Sequence, residues 1–170
     1  RLMSNDKYKN IKDTLKPRRG KTRQGYFVPK DPSKYDGDIS KIIYRSGWEF
    51  KFLKYCDDND RIVKYSSEPV GIAYYNPITK KTCRYWVDMY VAIRESNGNI
   101  KQWILEIKPN KYTQPPVKPK SNTEAKTRQY LSHAKIYLVN RAKFEAAKDY
   151  ADSKGIQFGI ITENFLFKSL

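Results

Sequence analysis

Apolar residues near the middle of the chain first recur at helical spacing. In residues 46–58, Trp48, Phe52, Tyr55 and Cys56 form one apolar stripe, with Ser46 at the position of an N-cap. A glutamate three residues after the serine completes the spacing of a capping box. The pattern predicts an amphipathic helix whose N-terminal end carries this glutamate.

Alternation of polar and apolar residues then predicts extended strands. Residues 62–66 and 70–75 are strand candidates, and residues 76–80 have the composition of a turn. Residues 84–93 alternate without interruption, which predicts a single strand with Asp88 on its more polar face. The dipeptide Asn97-Gly98 predicts a hairpin turn, so residues 100–108 form the return strand.

The C-terminal part predicts a loop, helices and a last strand. Residues 109–121 are rich in proline and lysine, which indicates a stiff basic loop. Residues 122–153 have a helical pattern, which Asn140 is expected to divide by capping a second helix, and Gly155 is expected to end it. Residues 156–162 are nearly all apolar and predict a buried strand. The element order (αβββαβ) predicts an α/β domain with helices packed on a mixed sheet.

The N-terminal residues differ in character from this domain. We expect residues 1–38 to form an extended basic arm and residues 39–170 to form the folded domain. Arg1 and Leu2 precede Met3 and are interpreted as an expression remnant. The arm is expected to follow DNA phosphates, with a tail that binds nothing as the alternative. Its basic cluster consists of Lys16, Arg18, Arg19, Lys21 and Arg23.

Charge narrows the choice of partner. The chain has 34 Lys and Arg against 18 Asp and Glu, a formal net charge of +16. Such a surface attracts polyanions, and nucleic acid is the commonest of these. A membrane partner is not expected, because the sequence has no long apolar stretch and no evident basic amphipathic helix.

Cysteine and histidine limit the chemistry. Cys56 and Cys83 are isolated, which excludes a zinc finger, disfavours a disulfide framework and fits a reducing cytoplasm. His133 is the only histidine, so sites that need two histidines are excluded, and we interpret it as a surface or capping residue. Any catalysis must therefore depend on carboxylates and lysine.

One Glu-x-Lys triplet stands out among three. Two lie in helical segments, whereas Glu106-Ile107-Lys108 lies on a strand, where both charged side chains share one face. Pairing across the hairpin brings Asp88 near Glu106, and two close carboxylates favour a divalent cation such as Mg²⁺. Glu49 is a candidate further ligand. The alternative is a solvated aspartate beside a surface ion pair.

These motifs resemble the PD-(D/E)XK nucleases. The order Arg45-Ser46-Gly47-Trp48-Glu49, Val87-Asp88 and Glu106-Ile107-Lys108 matches their core, and its opening resembles endonuclease I of T-odd phages and the TnsA-type transposase endonucleases. From about Asp31 onward the chain is similar to the head completion nucleases of T-even-type tailed phages. One departure is Val87, which stands where the family name has proline.

The resemblance implies a restriction-endonuclease-like fold and specific roles. Asp88 and Glu106 would bind Mg²⁺, with Mn²⁺ expected to substitute and the Ile107 carbonyl as a further ligand. Lys108 would orient or activate water and stabilise the phosphate, and Glu49 would complete the acidic cluster. Further candidate DNA contacts are Arg45, Arg84, Lys111, Lys126, Arg128, Gln129 and Tyr130, with Trp86 and Tyr90 as candidate contacts to a sugar or base.

Three functions remain open at this point. The first is a Mg²⁺-dependent DNA nuclease of low sequence specificity that processes packaged double-stranded DNA for head completion and head–tail joining. It would act in the host cytoplasm during assembly or with the virion, beside portal, neck or head proteins. The second is a non-enzymatic DNA-binding, head-joining protein on a nuclease scaffold. The third is a junction-specific resolvase.

Overall fold

The computed structural model describes residues 24–121 and 123–168. The predicted arm contacts at Lys16, Arg18, Arg19, Lys21 and Arg23 lie outside these residues. The eight strands described are β1 (Gly25–Tyr26), β2 (Ile43–Tyr44), β3 (Ile62–Ser67), β4 (Gly71–Asn76), β5 (Lys81–Trp86), β6 (Met89–Arg94), β7 (Ile100–Ile107) and β8 (Gln157–Ile161). The α-helices are α1 (Gly47–Asp58), α2 (Glu124–Lys154) and α3 (Glu163–Lys168).

A four-stranded mixed sheet forms the centre of the domain. Its order is β3-β6-β7-β8, in which β3, β6 and β7 are antiparallel and β8 runs parallel to β7. The predicted hairpin between β6 and β7 is confirmed, with Gly98 in the left-handed region at φ 85°. The α/β class with helices flanking a mixed sheet is confirmed as well.

The two faces of this sheet bury separate hydrophobic clusters. Leu105 and Ile107 of β7 join a cluster with Phe52 and Leu53 of α1. Ile104, one position along the strand, points to the other face and joins the second cluster, to which α2 contributes alanines. Period-two alternation in β7 therefore places α1 on one face and α2 on the other.

The predicted single strand 84–93 is wrong. It is broken at Val87 and Asp88, and β5 pairs with β4 as a separate two-stranded ribbon. At the break the backbone N–H of Val87 donates to Val70 at 3.2 Å, and the N–H of Glu68 donates to Asp88 at 3.0 Å. The alternation of polar and apolar residues continues through the break because both strands are extended. Tyr85 and Met89, which a single strand would place on one face, instead pack into the α2 cluster and the α1 cluster respectively.

The C-terminal predictions need two corrections. Asn140 does not divide the helix, because α2 is continuous and the buried amide Nδ2 donates to the carbonyl of Tyr112 at 3.2 Å. Strand β8 is an edge strand and is only partly buried. Gly155 ends α2 in the left-handed conformation at φ 66°, as predicted.

The described part of the predicted arm is packed on the domain. Strand β1 pairs with β2, and Phe27 and Tyr35 are buried in the cluster beneath α1. An extended arm was predicted for these residues. Burial of the two aromatic side chains instead holds residues 24–38 against the domain. Helix α3, which was not predicted, adds the buried Leu166 to the same cluster.

Two further observations concern the helices and the cysteines. Within residues 24–121 and 123–168, no helix is long and apolar enough to cross a membrane. Both cysteines are free, with Cys56 buried and Cys83 half-buried. Burial in the α1 cluster raises the pKa of the Cys56 thiol far above its ordinary value, which is typical of an unreactive core cysteine.

Candidate active site

A cavity of about 580 Å³ opens where the N-terminus of α1 meets the start of β6 and the end of β7. It is lined by Glu49, Asp88 and Lys108 of the predicted cluster, whereas Glu106 is buried beside it. Its floor comes from the strands, and its far wall comes from α2 and the turn that follows β7. The lining residues used below are Ser46, Glu49, Asp88, Ile107, Lys108, Tyr112 and Asn140.

Strand pairing brings Asp88 beside Glu106. The register pairs Met89 with Leu105 in antiparallel strands. Asp88, one residue before Met89, therefore lies opposite Glu106, one residue after Leu105. The carboxylate Oδ2 of Asp88 accepts a hydrogen bond from the backbone N–H of Ile107 at 2.7 Å. This bond fixes Asp88 against β7, which carries Glu106. Asp88 itself lies in the break between β5 and β6.

Glu106 is buried and Asp88 is half-buried, and this loss of solvent changes their chemistry. Glu106 is 3% exposed, and its Oε2 has no hydrogen-bond partner among the described residues. Burial is the main cause that raises the pKa of Asp88 far above its ordinary value, and the charges of Glu106 and Glu49 raise it further. The Ile107 N–H and Lys108 act in the opposite direction. Nearby positive charge is therefore not sufficient to offset the two carboxylates when both are ionised.

Lys108 supplies part of that charge. Its Nζ lies 3.0 Å from Oε1 of Glu106, and its side chain is 25% exposed toward the cavity. Its backbone N–H donates to Ile161 of β8 at 2.9 Å, which continues the strand geometry one residue beyond β7. The Glu-x-Lys spacing on a strand thus places both side chains together, as predicted.

Glu49 lines the same cavity, but its carboxylate caps the N-terminus of α1. Its backbone N–H donates to Oγ of Ser46 at 3.1 Å, and its Oε1 accepts from that hydroxyl at 2.9 Å. Its Oε2 accepts from the backbone N–H of Arg45 at 2.7 Å. Burial raises the pKa of Glu49, while the hydrogen bonds from Arg45 and Ser46 lower it. The predicted capping box is present, with Arg45 as the backbone donor instead of the N-cap.

The carboxylates do not form a ready three-residue metal cage. Among the residues described, no group of three or more His, Cys, Asp and Glu side chains is arranged to hold a metal ion. Asp88 and Glu106 are brought together, whereas both Glu49 oxygens are engaged in the helix cap. The donor chemistry still fits a hard divalent cation, because the unpaired Glu106 oxygen and the neighbouring Asp88 carboxylate are hard oxygen ligands.

Lys143 is a basic residue of this site that the sequence analysis missed. It lies half-buried on α2, with Nζ 5.5 Å from the ring centroid of Tyr74 and 5.3 Å from that of Tyr85. Burial lowers its pKa, the positive charge of Lys108 lowers it further, and Glu106 and Asp88 raise it. Its place depends on how α2 packs on the ribbon, so no local motif marks it.

Comparison with known proteins identifies the family. Residues 59–163 match the family described as TnsA-like endonuclease N terminal, a span that includes Asp88, Glu106 and Lys108. The chain belongs to this TnsA-like endonuclease family. It is also 40% identical over 142 residues to the head completion nuclease of Enterobacteria phage T4, which covers 84% of this chain and 92% of that protein. No solved structure matches.

Family membership confirms the resemblance found in the sequence. The mixed sheet flanked by helices is the restriction-endonuclease-like fold that the TnsA-like endonuclease family implies. The matched span begins after α1, so the family match covers the strand-borne residues of the site but not Glu49.

The candidate DNA contacts of this TnsA-like domain lie in several places. Arg45 is at the entrance to α1 and pairs with Glu68, with Nε 2.5 Å from Oε1. Arg128 pairs with Glu124 at 2.5 Å along the exposed start of α2. The remaining contacts are exposed or half-exposed: Arg84 on the ribbon, Lys111 after β7, and Lys126, Gln129 and Tyr130 on α2.

His133 and Tyr90 have definite structural roles, whereas Trp86 is exposed. His133 lies on α2, and its Nε2 is 2.6 Å from the carbonyl of Lys111, so it anchors the turn after β7. The hydroxyl of Tyr90 donates to Oε1 of Gln102 at 2.8 Å, which occupies it within the main sheet. Trp86 lies on the separate ribbon and is 55% exposed.

Proposed function

We propose that this chain is a divalent-metal-dependent DNA nuclease of low sequence specificity that acts in phage head completion. The observation that carries the proposal is the pair of half-buried Asp88 and buried Glu106 with Lys108 3.0 Å from Glu106, in a chain of net charge +16. Membership of an endonuclease family supports the enzyme class. The similarity to a head completion nuclease of phage T4 supports the biological setting.

The site residues suit phosphodiester hydrolysis. Asp88 and Glu106 would hold the metal, with the Ile107 carbonyl and Glu49 as further candidate ligands. A divalent cation in this position supplies positive charge against the phosphate as negative charge develops on it. Mg²⁺ fits the oxygen donors, and Mn²⁺ is expected to replace it.

Lys108 has the geometry to act on the phosphate and on water. Its ammonium group is fixed by Glu106 and still reaches the cavity. There it would orient the attacking water and stabilise charge on the phosphoryl oxygens through a preorganised ion contact. Lys143, which has no ion pair in the described part of the chain, adds positive charge behind it.

A purely DNA-binding role would not require this arrangement. Two neighbouring carboxylates, one buried and one half-buried, weaken both the fold and the attraction for DNA unless a cation offsets them. We therefore favour catalysis over the non-enzymatic head-joining alternative. The substrate is double-stranded DNA, and the location is the host cytoplasm during assembly or the virion, in contact with head, neck or portal proteins.

The first test is cleavage of supercoiled and linear DNA by Lys108→Ala and by wild type with EDTA. Both conditions are expected to abolish nicking and end resection, because each removes positive charge from the reacting phosphate. Lys101→Ala is the matched control, since Lys101 is exposed at the far end of β7 and pairs with Glu95. Undiminished cleavage by Lys108→Ala would overturn the assignment.

Substrate preference separates a general nuclease from a junction resolvase. Rates are compared on linear, supercoiled and four-way DNA with the same protein preparation. Similar rates on all three are expected for an enzyme that recognises the phosphate backbone. A strong preference for the four-way substrate would instead identify a resolvase.

A further inference from the structure

The β4–β5 ribbon exposes a face that the fold does not use. Its inner residues Ile72, Tyr74 and Tyr85 pack against α2. The opposite face, called here the outer ribbon face, is exposed apart from Gly71, which is half-buried. It consists of Gly71, Ala73, Tyr75, Thr82, Arg84 and Trp86. Because the ribbon forms its own two-stranded sheet, no other strand in the described chain pairs with it.

Two side chains pack closely against a glycine on this face. Trp86 pairs with Gly71, and a Cβ atom placed on that glycine would lie 3.3 Å from the indole and 2.8 Å from Cδ of Arg84. The absence of a side chain therefore lets the indole and the arginine stem lie close to the backbone. Trp86 is 55% exposed and Tyr75 is 57% exposed. Such exposure is unusual for large aromatic side chains that a fold could bury.

The face combines aromatic rings with positive charge. Along it, Trp86 and Tyr75 are separated by about 13 Å, given the rise of roughly 3.3 Å per residue, with Arg84 between them. Lys80 and Lys81 lie at the turn, and there is no Asp or Glu anywhere in residues 69–87. Arg84 makes no ion pair with any residue that the structure describes. The ribbon itself therefore presents no acidic side chain to a polyanion, and the flanking carboxylates are those of Glu68, which pairs with Arg45, and Asp88 of the candidate site.

The outer ribbon face begins close to the candidate active site along the chain, although none of its residues lines the cavity. Only Val87 separates Trp86 from Asp88, so the backbone distance between the tryptophan and the aspartate is at most about 7 Å. This distance is short enough for a nucleotide next to a phosphate at Asp88 and Lys108 to reach Trp86.

We propose that the outer ribbon face binds an unpaired DNA strand next to the cleavage site, with bases stacked on Trp86 and Tyr75 and a phosphate held by Arg84. Exposed aromatic rings alternating with basic groups are the usual means of holding single-stranded nucleic acid. A base inside a duplex presents only its edge, so flat rings of this kind favour strands that are frayed, gapped or overhanging. The inference rests on the proposed nuclease function and adds a preference for DNA with unpaired ends.

The test is binding in EDTA, where the proposed cleavage does not occur. Wild type, Trp86→Ala and Trp86→Phe are titrated with oligo(dT) and with a blunt hairpin duplex, following tryptophan fluorescence and the anisotropy of labelled DNA. Trp86→Ala is expected to weaken oligo(dT) binding about 5- to 150-fold, the range for loss of one stacked base. Trp86→Phe should recover most of this loss, because it keeps a ring.

Charge is tested separately with a matched pair. Arg84→Ala and Lys101→Ala each remove one positive charge, and only the arginine lies on the outer ribbon face. Arg84→Ala is expected to weaken oligo(dT) binding, and Lys101→Ala is expected to leave it near wild type. Thermal unfolding of each variant excludes loss of the fold.

The outcomes distinguish this inference from the proposed function. Oligo(dT) that neither quenches wild-type fluorescence nor binds more weakly to Trp86→Ala would overturn the inference. Equal weakening of oligo(dT) and duplex binding would also overturn it, since it would show general DNA contact. The nuclease proposal stands or falls on cleavage by Lys108→Ala, which is measured with Mg²⁺ and does not depend on Trp86.

Discussion

The carboxylate of Asp88 accepts a hydrogen bond from the backbone N–H of Ile107 at 2.7 Å, which connects the break between β5 and β6 to the strand that carries Glu106. Because this bond and the strand register act together, the two carboxylates are held close although burial and like charge oppose it. The geometry therefore stores an unfavourable interaction that a cation would relieve.

Asp88→Asn should stabilise the protein in EDTA and abolish stabilisation by Mn²⁺. Asn keeps an oxygen for the Ile107 N–H but removes the charge. The folded-state pKa of Asp88 is raised, so the native state binds its proton more tightly than the unfolded state does. Stability from this group is present at low pH and is lost as pH rises from about 4 through the raised pKa.

Thermal unfolding across this pH range checks the prediction. In EDTA the melting temperature of Asp88→Asn should exceed that of wild type by an amount that grows with pH. With Mn²⁺ at about 100 times its dissociation constant, wild type alone should gain about 2.7 kcal/mol. Equal Mn²⁺ stabilisation of both proteins would show that Asp88 is not a ligand.

Glu49→Gln separates the two roles of Glu49. The amide oxygen of glutamine can still accept from the backbone N–H of Arg45, and its NH2 group can donate to Oγ of Ser46 in place of the bond that Glu49 accepts. The melting temperature should therefore change little. Loss of the charge beside Asp88 should lower the cleavage rate about 10-fold or more, as for other residues that support a metal site. Ser46→Ala is the control, which should cost about 1 kcal/mol of stability with a smaller effect on rate. The opposite pattern, an unchanged rate in Glu49→Gln, would limit Glu49 to the helix cap.

Lys143→Met should slow cleavage and move its pH dependence. Removal of this half-buried charge disfavours ionisation of the nearby carboxylates, so the acidic limb of the rate profile should move to higher pH. We expect the rate to fall by about 10-fold, less than for loss of a group that contacts the phosphate. Single-turnover rates are measured against pH beside Lys148→Met, an exposed lysine on the same helix paired with Asp152. Identical profiles for the two variants would exclude Lys143 from the site.

Asn140→Ala should loosen the wall formed by the turn after β7. The Asn140 amide holds the Tyr112 carbonyl, and its loss is expected to cost about 1 kcal/mol. Since Tyr112 and Asn140 both line the cavity, a small displacement should reduce the cleavage rate more than DNA binding. Rate and affinity measured on the same preparation check this, and a variant weakened only in DNA affinity would contradict it.

Local sequence patterns predict the site better than they predict the chain path around it. The helical stripe with the Ser46 cap, the turn at Gly98 and the alternation of β7 are short-range signals, and they suffice to bring Asp88 next to Glu106. The same alternation conceals the break at Val87, because two extended strands in different sheets have the same period. That break depends on a long-range hydrogen bond to Val70.

Two other features depend on long-range packing. Asn140 has the residue type of a helix cap, yet its amide finds a backbone partner from the turn after β7, and the helix continues. Lys143 reaches the site only because α2 lies on the ribbon beside Tyr74 and Tyr85. Neither relationship has a local signal, so a sequence without an alignment does not reveal them.

Anomalous diffraction from crystals soaked in Mn²⁺ tests the central claim most directly. The account predicts an anomalous peak within coordination distance of carboxylate oxygens from both Asp88 and Glu106, beside the Lys108 ammonium group, and no such peak in crystals of Asp88→Asn. Crystals that bind Mn²⁺ elsewhere only, or show the two carboxylates turned away from each other with no ion between them, would contradict it.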